Sequence, residues 1–500
     1  MNHALLFSVF IVASCGLAYE LIAGALASYL LGDSILQFST VIGAYLFAMG
    51  IGSWLSRYVE QRLVARFIQV ELLVGTLGGL SAAGLFFVFA WSPAPFRVLL
   101  YLAVLAIGVL VGLEIPLIMR ILKRDLQFKD VVSQVLTFDY LGALAVSVLF
   151  PILLVPHLGL MRSGLLFGVL NVAVALWTSW LFNAQLATSA RRLRAQGIGA
   201  LLLLLIAFAA AGRLTSLAEA QIYNDEIVYS ESTPYQRIVV TRWRDDLRLH
   251  LNNNLQFSSR DEYRYHEALV HPGLATLPHA RRVLILGGGD GLALREVLKY
   301  PQIEAVTLVD LDPAMTSLFS RAAPLRKLNA DSLASPKVTV VNADALQWLE
   351  ENSATFDFAV VDFPDPSNFA IGKLYSASFY RLLEKHLNGG ALAVIQSTSP
   401  LYARQSFWCV VNTIGSVGLV ATPYHALVPS FGEWGFVLAS RHGYQPPSAY
   451  PVETRFLTPE TTPALFIFPG DMTRVETEIN RLNNQVLVRY FEHEWRQVIR

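Results

Sequence analysis

Charge is scarce in this chain. Only 15% of its 500 residues are Asp, Glu, Lys or Arg, against 54% hydrophobic, a balance outside the range of ordinary soluble domains. The 38 basic and 38 acidic residues cancel, so nothing indicates a polyanionic partner, and no nucleic acid is expected. Cysteine is nearly absent. Cys15 and Cys409 lie far apart in apolar runs, which excludes a disulfide framework and a thiolate metal site, and both read as packing residues. His386, His425 and His442 stand alone without ligand spacing, so no metal is expected either.

The missing charge is missing mainly from residues 1–213. Crossing the hydrocarbon layer takes about 20 apolar residues in a helix. Candidate spans are Leu5–Leu31, Thr40–Leu55, Phe67–Ala90, Val98–Met119, Val131–Val155, Leu160–Leu181 and Ile198–Ala211. The first is too long, and too closely followed by others, to be a cleaved signal peptide. A multi-pass membrane domain of six or seven helices is expected, with the lipid bilayer as its partner. Arg57, Arg62 and Arg66 follow the second span, Arg120, Lys123, Arg124 and Lys129 the fourth, and Arg191, Arg192 and Arg194 the sixth. These turns share one face, which the positive-inside rule makes cytoplasmic. Seven spans would then put the remainder of the chain outside. The seventh is the shortest and marginal for crossing, so the count stays open. Glu20, Glu71, Glu114 and Asp139 fall within or at the ends of spans with no Lys or Arg at comparable depth. Intramembrane carboxylates either bond between helices in their neutral form or mark a path for cations such as protons or polyamines.

Beyond that region the pattern becomes that of a globular domain. In "RIVVTRWRDDLRLHLNNNLQFS" Ile238 and Val240 alternate with polar neighbours, as do Leu247, Leu249 and Leu251, with "RDDL" and "NNN" as turns. This predicts an antiparallel β layer with one wetted face. "SSRDEYRYHEALVHPGL" reads as a capped helix. After Arg281 strands and helices alternate, which predicts a doubly wound, mostly parallel α/β sheet of Rossmann-like, methyltransferase type. The expected boundaries are 1–213 for the membrane domain, 214–260 for a linker and the β-strand domain, 261–445 for the Rossmann-like domain and 446–500 for a carboxy-terminal extension.

The most informative stretch is "VLILGGGDGLALREVLKYP", a strand, a glycine turn and a helix. Such turns cradle pyrophosphate with backbone N–H groups, yet Asp290 sits inside this one and would repel phosphate. "AVTLVDLD" places Asp310 about 20 residues further on, where an acid holds ribose hydroxyls. "KVTVVNADA" reads as a strand ending at Asp344, and "FDFAVVDFPDP" as one ending at Asp362 with Asp365 just beyond. All five acids fall on the carboxyl edge, where ligands bind in such sheets. Carboxylates without arginines suit a cation. Asp310 can take a ribose, and Asp344 with the Ala345 backbone an adenine, which describes a nucleoside without phosphates. Asp290, Asp362 and Asp365 remain for amines. A sulfonium nucleoside beside an amine suggests group transfer from S-adenosylmethionine or a relative.

In order, "YQRIVV", "LHLNNNLQ", "DEYRYHEALVH", "LILGGGDG", "REVLK", "LVDLD", "NADA" and "DFPDP" resemble the spermidine synthase (polyamine aminopropyltransferase) family over about residues 226–440, here fused to an amino-terminal polytopic domain. The resemblance implies Asp362 as general base, Asp365 and Asp290 as holders of the diamine, and Tyr265 and His266 lining the amine channel. Gln236, Gln256, Asp310 and Asp344 would contact the nucleoside donor, and Gly287 and Gly289 would let its aminopropyl arm pass the backbone. The implied reaction moves an aminopropyl group from decarboxylated S-adenosylmethionine, a co-substrate rather than a tightly bound cofactor, to putrescine or a related diamine. It also implies a homo-oligomer and, with the membrane domain, a cell-membrane protein whose catalytic part faces the cytoplasm. Four departures stand out: Asn252–Asn253 where the family has Asp-Gly, Asp310 where it has glutamate, "SNFAIG" after the DxxDP motif, and Phe431 where an amine-binding tyrosine is usual. A methyltransferase shares the sheet and nucleoside site, and a transporter or sensor with a binding-only domain shares the amine grip.

Overall fold

The computed structural model describes residues 2–31, 35–123, 127–186, 189–223 and 225–498, so Arg124 lies outside the described residues. The chain divides into two compact units, Met1–Ile227 and Val228–Arg500.

As far as Tyr223 the described residues of the first unit form helices: α1 (Asn2–Leu31), α2 (Ile35–Leu55), α3 (Leu63–Trp91), α4 (Pro93–Leu122), α5 (Phe128–Leu149), α6 (Val155–Leu181), the single turn α7 (Asn183–Leu186) and α8 (Ser189–Tyr223). Helices apolar on every side satisfy their backbone internally and can face lipid, whereas an amphipathic helix could not. Among the described residues six helical stretches are long and apolar enough to cross a membrane, and one of them, Phe128–Leu181, runs for 54 residues. At 1.5 Å per residue that stretch would be about 80 Å long, far more than the roughly 30 Å hydrocarbon layer. It reverses instead. Ser14 Oγ donates to the Gly142 carbonyl at 3.1 Å, and the neighbouring Cys15 Sγ donates to the Phe167 carbonyl at 3.5 Å. One continuous helix would hold Gly142 and Phe167 about 37 Å apart. The reversal falls on a π-helical turn, Phe150–Leu154, and on Gly159, whose φ of 72° no helix contains. Pro151 and Pro156 lie within it.

The last helix corrects an expectation. The span sought at Ile198–Ala211 is not marginal, because α8 carries a 27-residue crossing stretch, Ser189–Thr215. Its first turns hold three arginines, which in the sequence alone look like a loop. Arg194 bonds the Ser179 carbonyl and Asn183 Oδ1 and stacks over Trp180, so its charge sits at a helix end among polar partners. Counting the hairpin as two, the described residues hold seven stretches long and apolar enough to cross. Reporter enzymes inserted at Gln61 and fused after residue 498 are therefore expected in opposite compartments; the same compartment would reduce the count to six.

The second unit opens with a four-stranded antiparallel sheet in sequence order, β1 (Glu226–Ser232), β2 (Arg237–Trp243), β3 (Asp246–Leu251) and β4 (Asn254–Ser258). Asn252 and Asn253 both adopt positive φ, 49° and 68°, as a two-residue hairpin turn matching strand twist requires. Ile238, Val240, Leu249 and Phe257 bury their side chains against Leu292, Met315 and Phe319, but the expected wetted face is absent from the middle of β2, where Val239 and Thr241 on the other face are buried as well. Helix α9 (Glu262–Leu274) then leads into the main sheet.

That sheet contains β5 (Arg282–Gly287), β6 (Ala305–Asp310), β7 (Val338–Asn342), β8 (Phe356–Asp362), β9 (Leu387–Gln396), β10 (Val420–Val428) and β11 (Gly432–Ser440), in the order β10-β11-β9-β8-β5-β6-β7. The five strands from β9 to β7 are parallel, while β11 and β10 add antiparallel at one edge. Sequence reading missed β10 because "VATPYHALV" holds Pro423, and proline is tolerated only at an edge, which is where this strand lies. Strands β5 and β8 are neighbours whose connections leave in opposite directions, so the crevice at their carboxyl ends is the switch point of the fold.

Candidate active site

The glycine turn is built for close approach. Gly287, the last residue of β5, pairs with Asp362, the last of β8, and adopts a φ of 83°. A Cβ there would lie 2.2 Å from the Asp362 carbonyl oxygen. Two residues on, a Cβ at Gly289 would meet the Asp310 carboxylate at 2.6 Å, and the Gly289 N–H donates to Asp310 Oδ2 at 3.0 Å. Helix α10 (Leu292–Leu298) starts immediately after, and Asp290 Oδ1 accepts from the Leu292 N–H at 2.9 Å. The backbone of the turn is locked from behind, since Asn329 Nδ2 donates to the Asp290 carbonyl and Ser332 Oγ to the Gly291 carbonyl.

Around this turn gather most of the anticipated side chains. Tyr265, on α9, donates its hydroxyl to Asp362 Oδ1 at 2.6 Å. His266 beside it is buried, its Nδ1 bonded at 2.8 Å to the Glu262 carboxylate. Glu262 in turn receives both terminal nitrogens of Arg295, at 2.8 and 2.9 Å. Burial disfavours a charged imidazole, but Glu262 outweighs it and holds the His266 pKa above its usual value, with Asp290 and Asp362 close enough to add to the effect.

The acids respond to burial. Asp290 and Asp310 are each pushed up to about 6, chiefly by desolvation. Asp362 is raised for the same reason, with His266 and Tyr265 pulling it back. Asp365 goes furthest, to about 7, because burial is softened only by Thr398 and Gln396. Among the described residues its Oδ1 is buried with no hydrogen-bond partner. A buried acceptor without a donor is costly, and an ammonium group is one chemistry that would supply the donor. Phe431 stands in the same cluster as an apolar wall, its ring 6.3 Å from that of Tyr265 and 5.2 Å from that of Trp434. It is fixed from the side: Ser430 donates its N–H and its hydroxyl to Asp261, just before α9.

On the other side of the turn lies a second set. Asp310 Oδ1 accepts from the Asp312 N–H at 2.9 Å, so both its oxygens are held by backbone. Gln236 reaches this area by donating to Asp312 Oδ2 at 3.0 Å, alongside Thr233 at 2.8 Å. Asp344 departs from expectation in detail. Strand β7 ends at Asn342, and Asp344 is instead the N-cap of the helix Ala345–Glu351, accepting from Leu346 and Gln347. Its second oxygen pairs with Lys373 at 2.6 Å, and the lysine with the cap bonds overcomes desolvation to hold the carboxyl below its usual range. Ala345, the first residue of that helix, is buried beside it. Gln256 is not drawn into the group: it sits on β4 with its amide donating to the Asn254 carbonyl of the same strand.

Sequence reading missed the braces. Gln396, the last residue of β9, accepts from the Thr398 N–H and Trp434 Nε1, and donates to the Phe363 carbonyl and to Tyr375 Oη. It thereby pins the loop that carries Asp365. Its position on the carboxyl edge is the signal in the sequence, but an uncharged amide there does not stand out among acids. Lys373 and Asp312 gave no pattern to follow. The residues converge on a buried, acid-lined crevice with one carboxylate–tyrosine pair, suited to binding a cation and taking one proton from it.

A family model described as the spermine/spermidine synthase domain matches residues 262–448. The chain is 63% identical over 508 aligned residues to a polyamine aminopropyltransferase 2 of Ralstonia nicotianae, covering 100% of this chain and 99% of that one. It is 52% identical over 499 residues to a polyamine aminopropyltransferase of Leptospira interrogans, covering 100% of both. Among solved structures, a spermidine synthase bound to a transition-state analogue superposes with a TM-score of 0.46 and 24% identity over 49% of this chain and 86% of that one.

Proposed function

The chain belongs to the spermine/spermidine synthase family, and from that premise we propose that its crevice moves an aminopropyl group from decarboxylated S-adenosylmethionine to putrescine or a close diamine, with Asp362 as the base. It is an aminopropyltransferase acting on a polyamine with a donor derived from S-adenosylmethionine, carried by a multi-pass membrane unit.

The observation that carries the residue roles is the Tyr265–Asp362 bond set among Asp290, Asp365 and His266. An aliphatic diamine carries a proton on each nitrogen at neutral pH, since such amines titrate near lysine, about 10.4. A protonated nitrogen has no lone pair. Asp365 and Asp290 bind the ammonium groups, while the donor's sulfonium lowers the pKa of the nearer one by like-charge repulsion. Asp362 accepts that proton, held in aim by Tyr265. The freed lone pair forms a C–N bond to the aminopropyl methylene bonded to the donor's sulfur as that carbon's C–S bond breaks, and the bonding pair leaves with sulfur as neutral methylthioadenosine. Alignment of nitrogen, carbon and sulfur in the closed crevice supplies the remainder. Asp310 and the Asp344–Ala345 turn hold ribose and adenine, Gln236 supports them through Asp312, and Phe431 lies along the diamine's methylenes.

The test is the by-product. Purified full chain given putrescine and the decarboxylated donor is expected to release methylthioadenosine; adenosylhomocysteine from S-adenosylmethionine itself would make it a methyltransferase and end this assignment.

The raised acids give a pH signature. Amine binding needs Asp365 ionised, so KM for the diamine should climb about tenfold per unit as pH falls below about 7, the value to which Asp365 is pushed. Stability should run the opposite way. Because the folded protein holds that proton more tightly than the unfolded chain, stability is fully present below the unfolded pKa and falls as pH rises through about 7. Melting curves of the unliganded protein between pH 6 and 8 check this: a melting temperature that rises across the window contradicts the assignment.

A charged nucleoside does not cross lipid unaided, so we place the catalytic unit on the cytoplasmic side, where such donors are made. With seven crossings this sets the arginine-bearing turns outside, against the usual bias. An extracytoplasmic signal from the reporter fused after residue 498 would refute the placement.

A further inference from the structure

The proton path runs through Tyr265 and Asp362 and leaves His266 without a task. His266 lies on α9, is 3% exposed, and makes two bonds through Nδ1, to the Glu262 carbonyl and to Glu262 Oε2, both at 2.8 Å. A backbone carbonyl can only accept, so Nδ1 carries a hydrogen and donates to both. Nε2 is then the nitrogen that gains or loses a proton, and among the described residues it makes no hydrogen bond. Asp290 and Asp362 both act on the ring electrostatically, and Tyr265 stands edge-on to it with ring centroids 5.0 Å apart, so the free nitrogen belongs to the amine crevice.

Glu262 is itself held. Arg295, on α10, donates to both of its oxygens, at 2.8 and 2.9 Å, and a planar fork on a carboxylate permits one orientation. Arg295 is fixed in turn by Glu296 Oε1 and by the Leu328 carbonyl, each at 2.8 Å. Burial works against a charge on Glu262, but His266 and Arg295 hold its carboxyl below the usual range, so it stays an acceptor. Helix α10 starts where the turn bearing Asp290 ends, so the same fork ties the helix of Tyr265 and His266 to that turn. What this does for an amine is a matter of lone pairs. An ammonium group can only donate. An imidazole with its hydrogen on Nε2 would meet it donor to donor, whereas one with the hydrogen kept on Nδ1 presents an acceptor.

We propose that Glu262 is a positioning residue for amine transfer: gripped by Arg295, it keeps the His266 hydrogen on Nδ1, so that Nε2 accepts from an ammonium group of the diamine beside Asp290. The identity of that cation rests on the reaction proposed above; the tautomer does not. The groups acting on the ring are Glu262, Asp290 and Asp362, with Tyr265 against it and Arg295 behind Glu262. The three acids favour a protonated Nε2 in the empty crevice, and an arriving ammonium opposes it by like-charge repulsion and takes the place of that proton.

Nitrogen-15 NMR of the full chain in lipid, labelled at histidine, reads each ring nitrogen, and His266→Gln identifies the signal. In the native protein Nε2 should lose its proton as pH rises while Nδ1 keeps its hydrogen, and putrescine should move that step to lower pH. A neutral His266 with its hydrogen on Nε2, or a step indifferent to putrescine, overturns the proposal. Glu262→Gln is the second arm. Its amide oxygen stays with Arg295 and its NH2 group turns to His266, a donor where an acceptor stood. The ring hydrogen should move to Nε2 and the putrescine KM should rise about tenfold, the worth of one hydrogen bond to a charged group, with the donor KM unchanged. Equal rises in both KM values would mean that α9 had merely shifted, and the proposal fails. Should that variant not fold, the native spectra decide alone. If wild type releases no methylthioadenosine the reaction is wrong, and the response of Nε2 to putrescine still decides this assignment.

Discussion

Asp362→Asn is expected to lower kcat about a thousandfold with little change in either KM. The substitution keeps the shape and still accepts the Tyr265 hydroxyl bond, made at 2.6 Å in the native protein, so the crevice should assemble. What it removes is the proton acceptor, and a positioned base is worth roughly 10²–10⁴ in rate. The measurement is methylthioadenosine release under saturation with both substrates. Tyr265→Phe distinguishes aim from acceptance: the base remains, so a loss of about tenfold in kcat is expected, larger than a lost packing contact gives and far smaller than loss of the base. A tenfold or smaller loss in Asp362→Asn would remove the carboxylate from the proton path.

Asp365→Asn should act on binding instead. Its unpartnered Oδ1 is the acceptor that the ammonium completes, so neutralising it leaves a buried cation unpaired. Breaking a buried pair from one side costs about 3–5 kcal/mol, which is roughly two to three and a half orders of magnitude in affinity. The diamine KM should therefore rise several hundredfold, with the donor KM unchanged. The same variant should melt at a higher temperature above pH 7, because it no longer carries a charge that burial disfavours. An unchanged diamine KM, or a shift in donor KM alone, would move Asp365 out of the amine site. The paired outcome, weaker binding with a firmer fold, is what a site strained for function predicts.

Much of this was legible in the chain because its signals are local. Alternation at Ile238 and Val240 and the Asn252–Asn253 turn fix the small sheet by period and by φ, and both depend on neighbours in sequence. The edge rule for parallel sheets put Asp310 and Asp362 on one rim before any distance was known, and register confirms it through the Gly287–Asp362 and Asp310–Asn342 pairs. What escaped depends on partners remote in sequence. Whether Asp344 ends a strand or caps a helix is decided by two residues of strand length and by Lys373, 29 positions away. The hairpin inside Phe128–Leu181 was read as two spans, but the length of α8 was not, because arginines at a helix end look like a loop until Ser179 and Asn183 are seen to receive them. Strand β10 was hidden by a proline that only an edge position excuses.

Gln396 accepts twice through Oε1 and donates twice through Nε2, leaving no polar atom of its side chain idle. Exchange of that nitrogen for oxygen, the change to glutamate, alters neither volume nor shape, yet it sets an anion directly against the Phe363 carbonyl. The position can thus be filled by almost nothing else that fits it, and anyone redesigning this crevice for longer or shorter amines should treat the end of β9 as a fixed hinge-post and vary Phe431 instead.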